Sequence, residues 1–292
     1  MSSEASNKWR FLNTGFARGS WNMAVDEAIL ICHSEGKVPP TIRLYGWEPP
    51  ALSLGRIQSF HRDVDAGACR KFGFDVVRRP TGGRAVLHDK EVTYSFVLTE
   101  SHPLCPKQIS EAFSLAAMGI LKGLSLLGIE ANIQGRDSRQ RRDMQKGNGL
   151  SSPACFDSPS WYEIVVHGKK LVGSAQARIK GTLLQHGSIL MELEPDVVSA
   201  LFKLPSEAVR MRVERELQLG ATSISSILGR KVEFGEVSAA VRQGFIDFLR
   251  ETFNITLEDG ALTPDETQLA VELEQQKYST DSWNMLRSTT PD

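Results

Sequence analysis

The chain has 292 residues, 41% of them hydrophobic and 24% charged, with a formal net charge of −1. That length allows one large domain or two modest ones, and either can bury a solid core. Near-neutral charge excludes a global pull toward nucleic acid or anionic lipid, so neither is expected as a partner and charge-guided docking must come from a local patch.

The opening MSSEASNKWRF has no basic stretch leading into an apolar run, so it does not read as a signal peptide. No apolar stretch approaches the roughly 20 residues that span a bilayer. A first helix is predicted over about 20–33, with Ser20 as its cap and Trp21, Ala24, Val25, Ala28 and Cys32 on one face. Strand-like runs follow at 41–47, 51–55 and 74–79, with a short helix over 65–72 between the last two. AVLH (85–88) and VTYSFVLT (92–99) read as a strand pair rich in β-branched and aromatic residues. The 107–128 segment reads as a long helix with an apolar stripe of Ile109, Phe113, Ala116, Ile120, Leu124 and Leu127.

GRDSRQRRDMQKGNG (135–149) has no periodicity and reads as a mobile loop. Its five basic residues face only Asp137 and Asp143, which makes it the local patch that the net charge conceals. Strand candidates YEIVV, KLVGSAQARI and LLQHGSILM come next. The last third is helical, with Val237, Ala240, Val241, Gly244, Phe245, Phe248 and Leu249 on one face and a charged, surface-like final helix at about 264–277. Adjacent strands with too few helices between them predict an α/β (α+β) fold with a mixed, largely antiparallel sheet and flanking helices. With no repeat and no linker, residues 1–292 read as one domain, with a core at about 8–205 and a helical C-terminal portion at about 206–292.

Three segments depart from strand or helix rules, and such departures mark sites. In Arg78–Asp89, RRPTGGRAVLHD, two glycines after a strand either bring backbone close to a ligand or make a tight turn with exposed arginines. In GKKLVGSAQ, the small run Gly173-Ser174-Ala175 inside a strand packs on another backbone or lines a cavity. Lys170 stands at the head of that strand, where it reaches across a cavity or, as most lone lysines do, into solvent. The third is SSPACFD. Cys32 and Cys69 fit the default of a buried core thiol, whereas Cys155 follows a proline and the polar loop, as an exposed reactive group does. A nearby cation such as Lys170 would favour its thiolate. With Cys105, the four cysteines form no CxxC and no metal-type spacing, so neither a disulfide framework nor a metal site is expected, and a reducing cytoplasm is.

RRPTGGRAVLHD, GKKLVGSAQAR and LLQHGSIL together resemble the lipoate/biotin protein ligase and octanoyltransferase superfamily, over about residues 21–191. The PACF cysteine is similar to that of the octanoyl-acyl-carrier-protein:protein octanoyltransferases of the Gram-positive, LipM type. The resemblance implies a class II synthetase-like fold with a mixed sheet enclosing an acyl tunnel. It implies Cys155 as the nucleophile that carries the acyl group and Lys170 as the group that activates the thiol and orients the carbonyl. Arg79, Thr81, Gly82, Gly83, Ala85 and His88 would line the acyl pocket, with Gly173, Ser174 and Ala175 as the opposite wall and His186 and Gly187 beside it. The implied donor is octanoyl-acyl carrier protein, and the acceptor a lysine of a lipoyl domain or of the glycine-cleavage H protein, with no ATP and no metal. The alternatives are a lipoyl-protein amidotransferase, an ATP-dependent lipoate–protein ligase, and a non-catalytic relative, against which the presence of both Cys155 and Lys170 argues. Arg84, where ATP-using ligases often carry a third glycine, weakens the ligase alternative.

Overall fold

β-Branched and aromatic runs make the strands of this chain, in a computed structural model that describes residues 7–135 and 162–286. The predicted loop beyond Gly135 and the Cys155 segment lie outside the described residues. The strands are β1 (Lys8–Ala17), β2 (Thr41–Trp47), β3 (Ala51–Leu54), β4 (Asp75–Arg78), β5 (Val86–His88), β6 (Glu91–Thr99), β7 (Asn132–Gly135), β8 (Tyr162–Val166), β9 (Lys169–Ile179), β10 (Thr182–Leu190) and β11 (Thr256–Asp259). The helices are α1 (Gly19–Ser34), α2 (Phe60–Asp63), α3 (Ala66–Phe72), α4 (Ile109–Leu126), α5 (Pro195–Ala200), α6 (Glu207–Gly220), α7 (Ile224–Leu228), α8 (Phe234–Phe253), α9 (Pro264–Leu273) and α10 (Asp281–Asn284).

The large sheet runs β11-β1-β2-β6-β10-β9-β8-β7 and the small one β4-β3-β5. In the large sheet only β11/β1 and β1/β2 are parallel, so it is mixed and largely antiparallel, as predicted. One face carries α4 and α8 over Trp9, Phe96, Val172 and Ile189. These two helices meet backbone to backbone: a Cβ on Gly244 would lie 2.2 Å from Gly123 N and 2.3 Å from Gly119 O. On the other face α1 lies between the large sheet, the small sheet and α9, which is why it is buried nearly all round rather than on one stripe.

Five sequence expectations change, the apolar length of α4 among them. AVLH and VTYSFVLT are not partners: β5 pairs with β3, while β6 joins β2 and β10, because the chain crosses from one sheet to the other at Asp89-Lys90. Ser20 does not cap α1, which begins after Arg18; its hydroxyl donates to Glu274 Oε1 at 2.7 Å. Ile109, at the first turn of α4, is 64% exposed, although Phe113, Ala116, Ile120 and Leu124 are buried as expected. α4 is long and apolar enough by composition to cross a membrane, and half of it is buried. The final helix is a surface element on one face only: Asp265, Thr267, Gln268 and Glu272 are exposed as expected, but Glu266 is fully buried and accepts from Arg10 Nη1 at 2.8 Å, and Tyr278, in the π-turn that extends α9, is buried against Glu27.

Candidate functional site

Between the two sheets lies a cavity of about 150 Å³, a size that in other proteins holds a benzene-scale apolar guest. Its floor is β9 and β10, where Gly173 pairs with Ser188 and Ala175 with His186, so small residues on one strand leave room above the other. Gly187 is required there by close approach: a Cβ would lie 2.5 Å from Gly173 O and 2.8 Å from the Tyr94 ring. Met23, Tyr45 and Trp47, all buried, close the side toward α1 and β2. Ser53, Arg79, Gly83, Arg84, Val86 and His88 supply the roof, with Gly83 at φ +95°, a region that favours glycine.

The polar groups of the wall are bonded to one another. Glu91 Oε1 lies 2.7 Å from His88 Nδ1 and accepts from Ser188 Oγ at 2.9 Å. On its other side the ring places Nε2 2.7 Å from Ser53 Oγ. Trp47 stacks on His88 at 4.0 Å, and its Nε1–H donates to Thr93 Oγ1 at 2.7 Å. Arg79 donates to Ser53 Oγ (3.0 Å), Gly82 O (2.7 Å) and Arg84 O (2.7 Å), so its guanidinium organises the roof from inside.

Behind the floor, Asp26 accepts from Arg43 Nη1 (2.7 Å), Ser95 Oγ (2.8 Å) and Tyr45 Oη (2.9 Å), and lies 3.4 Å from His186 Nδ1. His186 Nε2 is 2.6 Å from Thr81 Oγ1, so the same carboxylate orients a roof residue through the ring. Burial pushes the Asp26 carboxyl up, but the Arg43 charge and the His186 and Ser95 bonds outweigh it and hold it below its ordinary value. Burial pulls His186 below the ordinary imidazole value despite Asp26, with Arg79 and His88 acting the same way, so the ring is neutral near pH 7.

Of the residues singled out in the sequence, Arg79, Gly83, His88, Gly173, Ser174, Ala175, His186 and Gly187 come together on this cavity. Thr81 is buried behind the lining on His186, Gly82 is exposed on the roof, and Ala85 packs behind it with Leu52 and Leu54. Lys170 is neither solvated nor in the lining: it is 3% exposed, with Nζ 2.5 Å from Glu163 Oε1. Ile164 and Val166 face α4 and α8, so Glu163 and Val165 take the opposite, cavity-side face, and Lys170 shares it by pairing with Val165. Cys155 lies outside the described residues. Cys32 and Cys69 are core thiols whose pKa is raised, Cys69 to about 11, chiefly by burial. Sequence reading missed Asp26, Tyr45, Trp47, Ser53, Glu91 and Glu163. The available signal was the acid pair Asp26-Glu27 between the apolar runs Met23–Val25 and Ala28–Cys32 of one helix, since an ionised group there needs a partner.

A mixed sheet facing a small three-stranded sheet across a partly open cavity defines a ligase-like α/β catalytic domain. The chain belongs to the lipoyl protein ligase A/B catalytic domain family, which matches residues 18–246. It is 48% identical over 276 residues to octanoyltransferase LipM of Kyrpidia tusciae, covering 94% of this chain and 98% of that protein. It is 44% identical over 284 residues to octanoyltransferase LipM of Geobacillus kaustophilus, covering 97% of this chain and all of the relative. The fold superposes on a bi-partite lipoate protein ligase of Thermoplasma acidophilum with a TM-score of 0.77, at 25% identity over 97% of this chain and 98% of the other. It also superposes on lipoate-protein ligase A bound with ATP, with a TM-score of 0.73, at 26% identity over 95% of this chain and 98% of the other.

Proposed function

We propose that this chain is an octanoyltransferase of lipoate biosynthesis, moving an octanoyl group from octanoyl-acyl carrier protein to a lysine of a lipoyl domain or of the glycine-cleavage H protein. The observation that carries the reading is a narrow cavity whose polar wall groups are bonded to each other, with the Arg79 guanidinium already committed to Ser53, Gly82 and Arg84. Such a wall suits an apolar chain, each buried CH₂ of which is worth about 0.8 kcal/mol, better than nucleotide phosphates.

In this reading Cys155 Sγ attacks the carrier thioester carbonyl, and the carrier thiolate leaves with a proton. The acceptor lysine amine then attacks the Cys155 thioester, the amide forms, and the Cys155 thiol is released. The first step exchanges one thioester for another and the second is downhill, so neither needs ATP. Lys170, held by Glu163, activates the thiol and orients the carbonyl. Residues 1–292 act as one catalytic domain, in a reducing cytoplasm where a free thiol persists.

Incubation with octanoyl-acyl carrier protein without ATP should add one octanoyl group to the chain, removable by neutral hydroxylamine and read by intact mass. Cys155→Ala should abolish the adduct, and Cys32→Ala, Cys69→Ala and Cys105→Ala should not. An adduct that persists without Cys155, or appears only with ATP, overturns the proposal.

A further inference from the structure

The cavity roof is tied to a part of the chain that the family match, ending at residue 246, does not reach. Arg78, next to the roof-organising Arg79, is wholly buried. Its guanidinium donates to Gly55 O at 2.8 Å and Gln58 O at 2.7 Å on one side, and to Trp283 O at 2.9 Å and Asn284 O at 2.8 Å on the other. The backbone of Arg78 is gripped as well: Asn284 Oδ1 accepts its N–H at 2.8 Å, and Trp283 Nε1–H donates to its carbonyl at 2.9 Å. Arg56 lies over the Trp283 ring at 4.4 Å, and Lys277 at 4.2 Å.

The Gly55–Gln58 turn is in turn pressed on the roof. A Cβ on Gly55 would lie 1.9 Å from Gly83 O, and Arg56 N–H donates to Thr81 O at 2.9 Å. Whatever holds Arg78 and this turn therefore fixes how far Gly83 stands from the β9/β10 floor. Packed interiors transmit such displacements rather than absorb them.

We propose that Trp283 and Asn284 are positioning residues for the acyl cavity, clamping Arg78 and the Gly55–Gln58 turn so that roof height, and the chain length that fits beneath it, is set from α10. The inference rests on the reading of this cavity as the acyl site. Neither residue touches the cavity; they act through Arg78, the turn and the roof.

The test uses the full chain with octanoyl and dodecanoyl coenzyme A as donors, and compares KM, kcat and Tm. Trp283→Phe, which keeps an aromatic ring while removing the Nε1–H that reaches Arg78 O, and Asn284→Ala, which removes the acceptor for Arg78 N–H, should each raise KM for the octanoyl donor about fivefold, the scale of the one hydrogen bond to Arg78 that each loses. Both should narrow the preference for octanoyl over dodecanoyl, with kcat within about twofold because the reacting groups are untouched. Asn284→Asp, which keeps the acceptor for Arg78 N–H, should recover part of the loss. Gly244→Ala, at the α4/α8 crossing, lowers Tm without moving KM or the preference. If Trp283→Phe and Asn284→Ala lower Tm but leave KM and chain-length preference unchanged, the residues are plain structural anchors and the inference fails. Should Asn284→Ala not fold, Trp283→Phe decides alone. Met23→Ala, which widens the cavity directly, separates the two readings: its silence removes the cavity assignment, whereas a response from it alone removes the clamp.

Discussion

Asp26→Asn exchanges one oxygen for nitrogen at the centre of the buried network behind the cavity floor. The carboxylate is wholly buried and accepts from Arg43, Ser95 and Tyr45, all within 2.9 Å. Asparagine offers one acceptor oxygen where three donors converge, and it leaves the fully buried Arg43 guanidinium without a counter-charge. Breaking a buried pair in this way costs about 3–5 kcal/mol, which at about 2–4 °C per kcal/mol corresponds to about 6–20 °C in Tm. The loss should be mutual with Arg43→Met, and the double variant Asp26→Leu/Arg43→Met should recover most of the stability, because no charge is then left buried and unpaired. Urea titration followed by far-UV circular dichroism gives midpoint and slope for the four proteins. The His186–Thr81 link, which hangs on the same carboxylate, should loosen in each Asp26 variant, so octanoyl transfer should fall even in the stable double variant. A cost below about 1 kcal/mol for Asp26→Asn, typical of an exposed pair, would show that Arg43 does not depend on this carboxylate.

Lys170→Ala should reduce octanoyl transfer by about 10²–10⁴-fold, the range of a lost acid–base group, and destabilise by about 3–5 kcal/mol by stranding the buried Glu163. Lys170→Met with Glu163→Leu should restore stability but not turnover; if turnover returns too, the lysine is structural only. Stability should decline on acidification from pH 7 to 5, read as the urea midpoint. His33, His102 and His186 all sit below the ordinary imidazole value, chiefly through burial. The folded state therefore binds fewer protons than the unfolded one just below about pH 6.5, and stability present above that value is lost as pH falls; a flat or rising midpoint contradicts this. Arg139, Arg141 and Arg142 changed to Glu should raise KM several-fold for octanoyl-acyl carrier protein, an acidic donor, and leave octanoyl coenzyme A nearly unaffected. Equal harm to both donors would assign that segment to the site rather than to docking.

Strand alternation and helical periodicity are local, and most elements were legible from them. β2 and β8 coincide with the predicted runs, β9 begins one residue earlier than its run, and β10 is its run shifted by one residue. The site motifs were legible as well, because a GSA run inside a strand and paired glycines after one are costly unless something is packed close to them. β1 and β11 were not legible. Their parallel pairing joins Lys8 to Thr256 across nearly the whole chain, and no local pattern announces such a partner. Lys170 was equally opaque. As a lone lysine it belongs in solvent, and only the register that sets Val165 of β8 beside it brings Glu163 close enough to offset the burial of its charge. The charged final helix was surface-like on its outer face, but its inner face was hidden for the same reason: Glu266 reads as surface until Arg10, from the other end of the chain, is found 2.8 Å away. The sequence by itself determined the elements and the chemistry of the motifs, because both depend on neighbours a few residues apart. Tertiary structure alone decided which of these charges are buried together, because strand register brings Glu163 to Lys170, and the docking of α1 and α9 on the sheet brings Asp26 to Arg43 and Glu266 to Arg10.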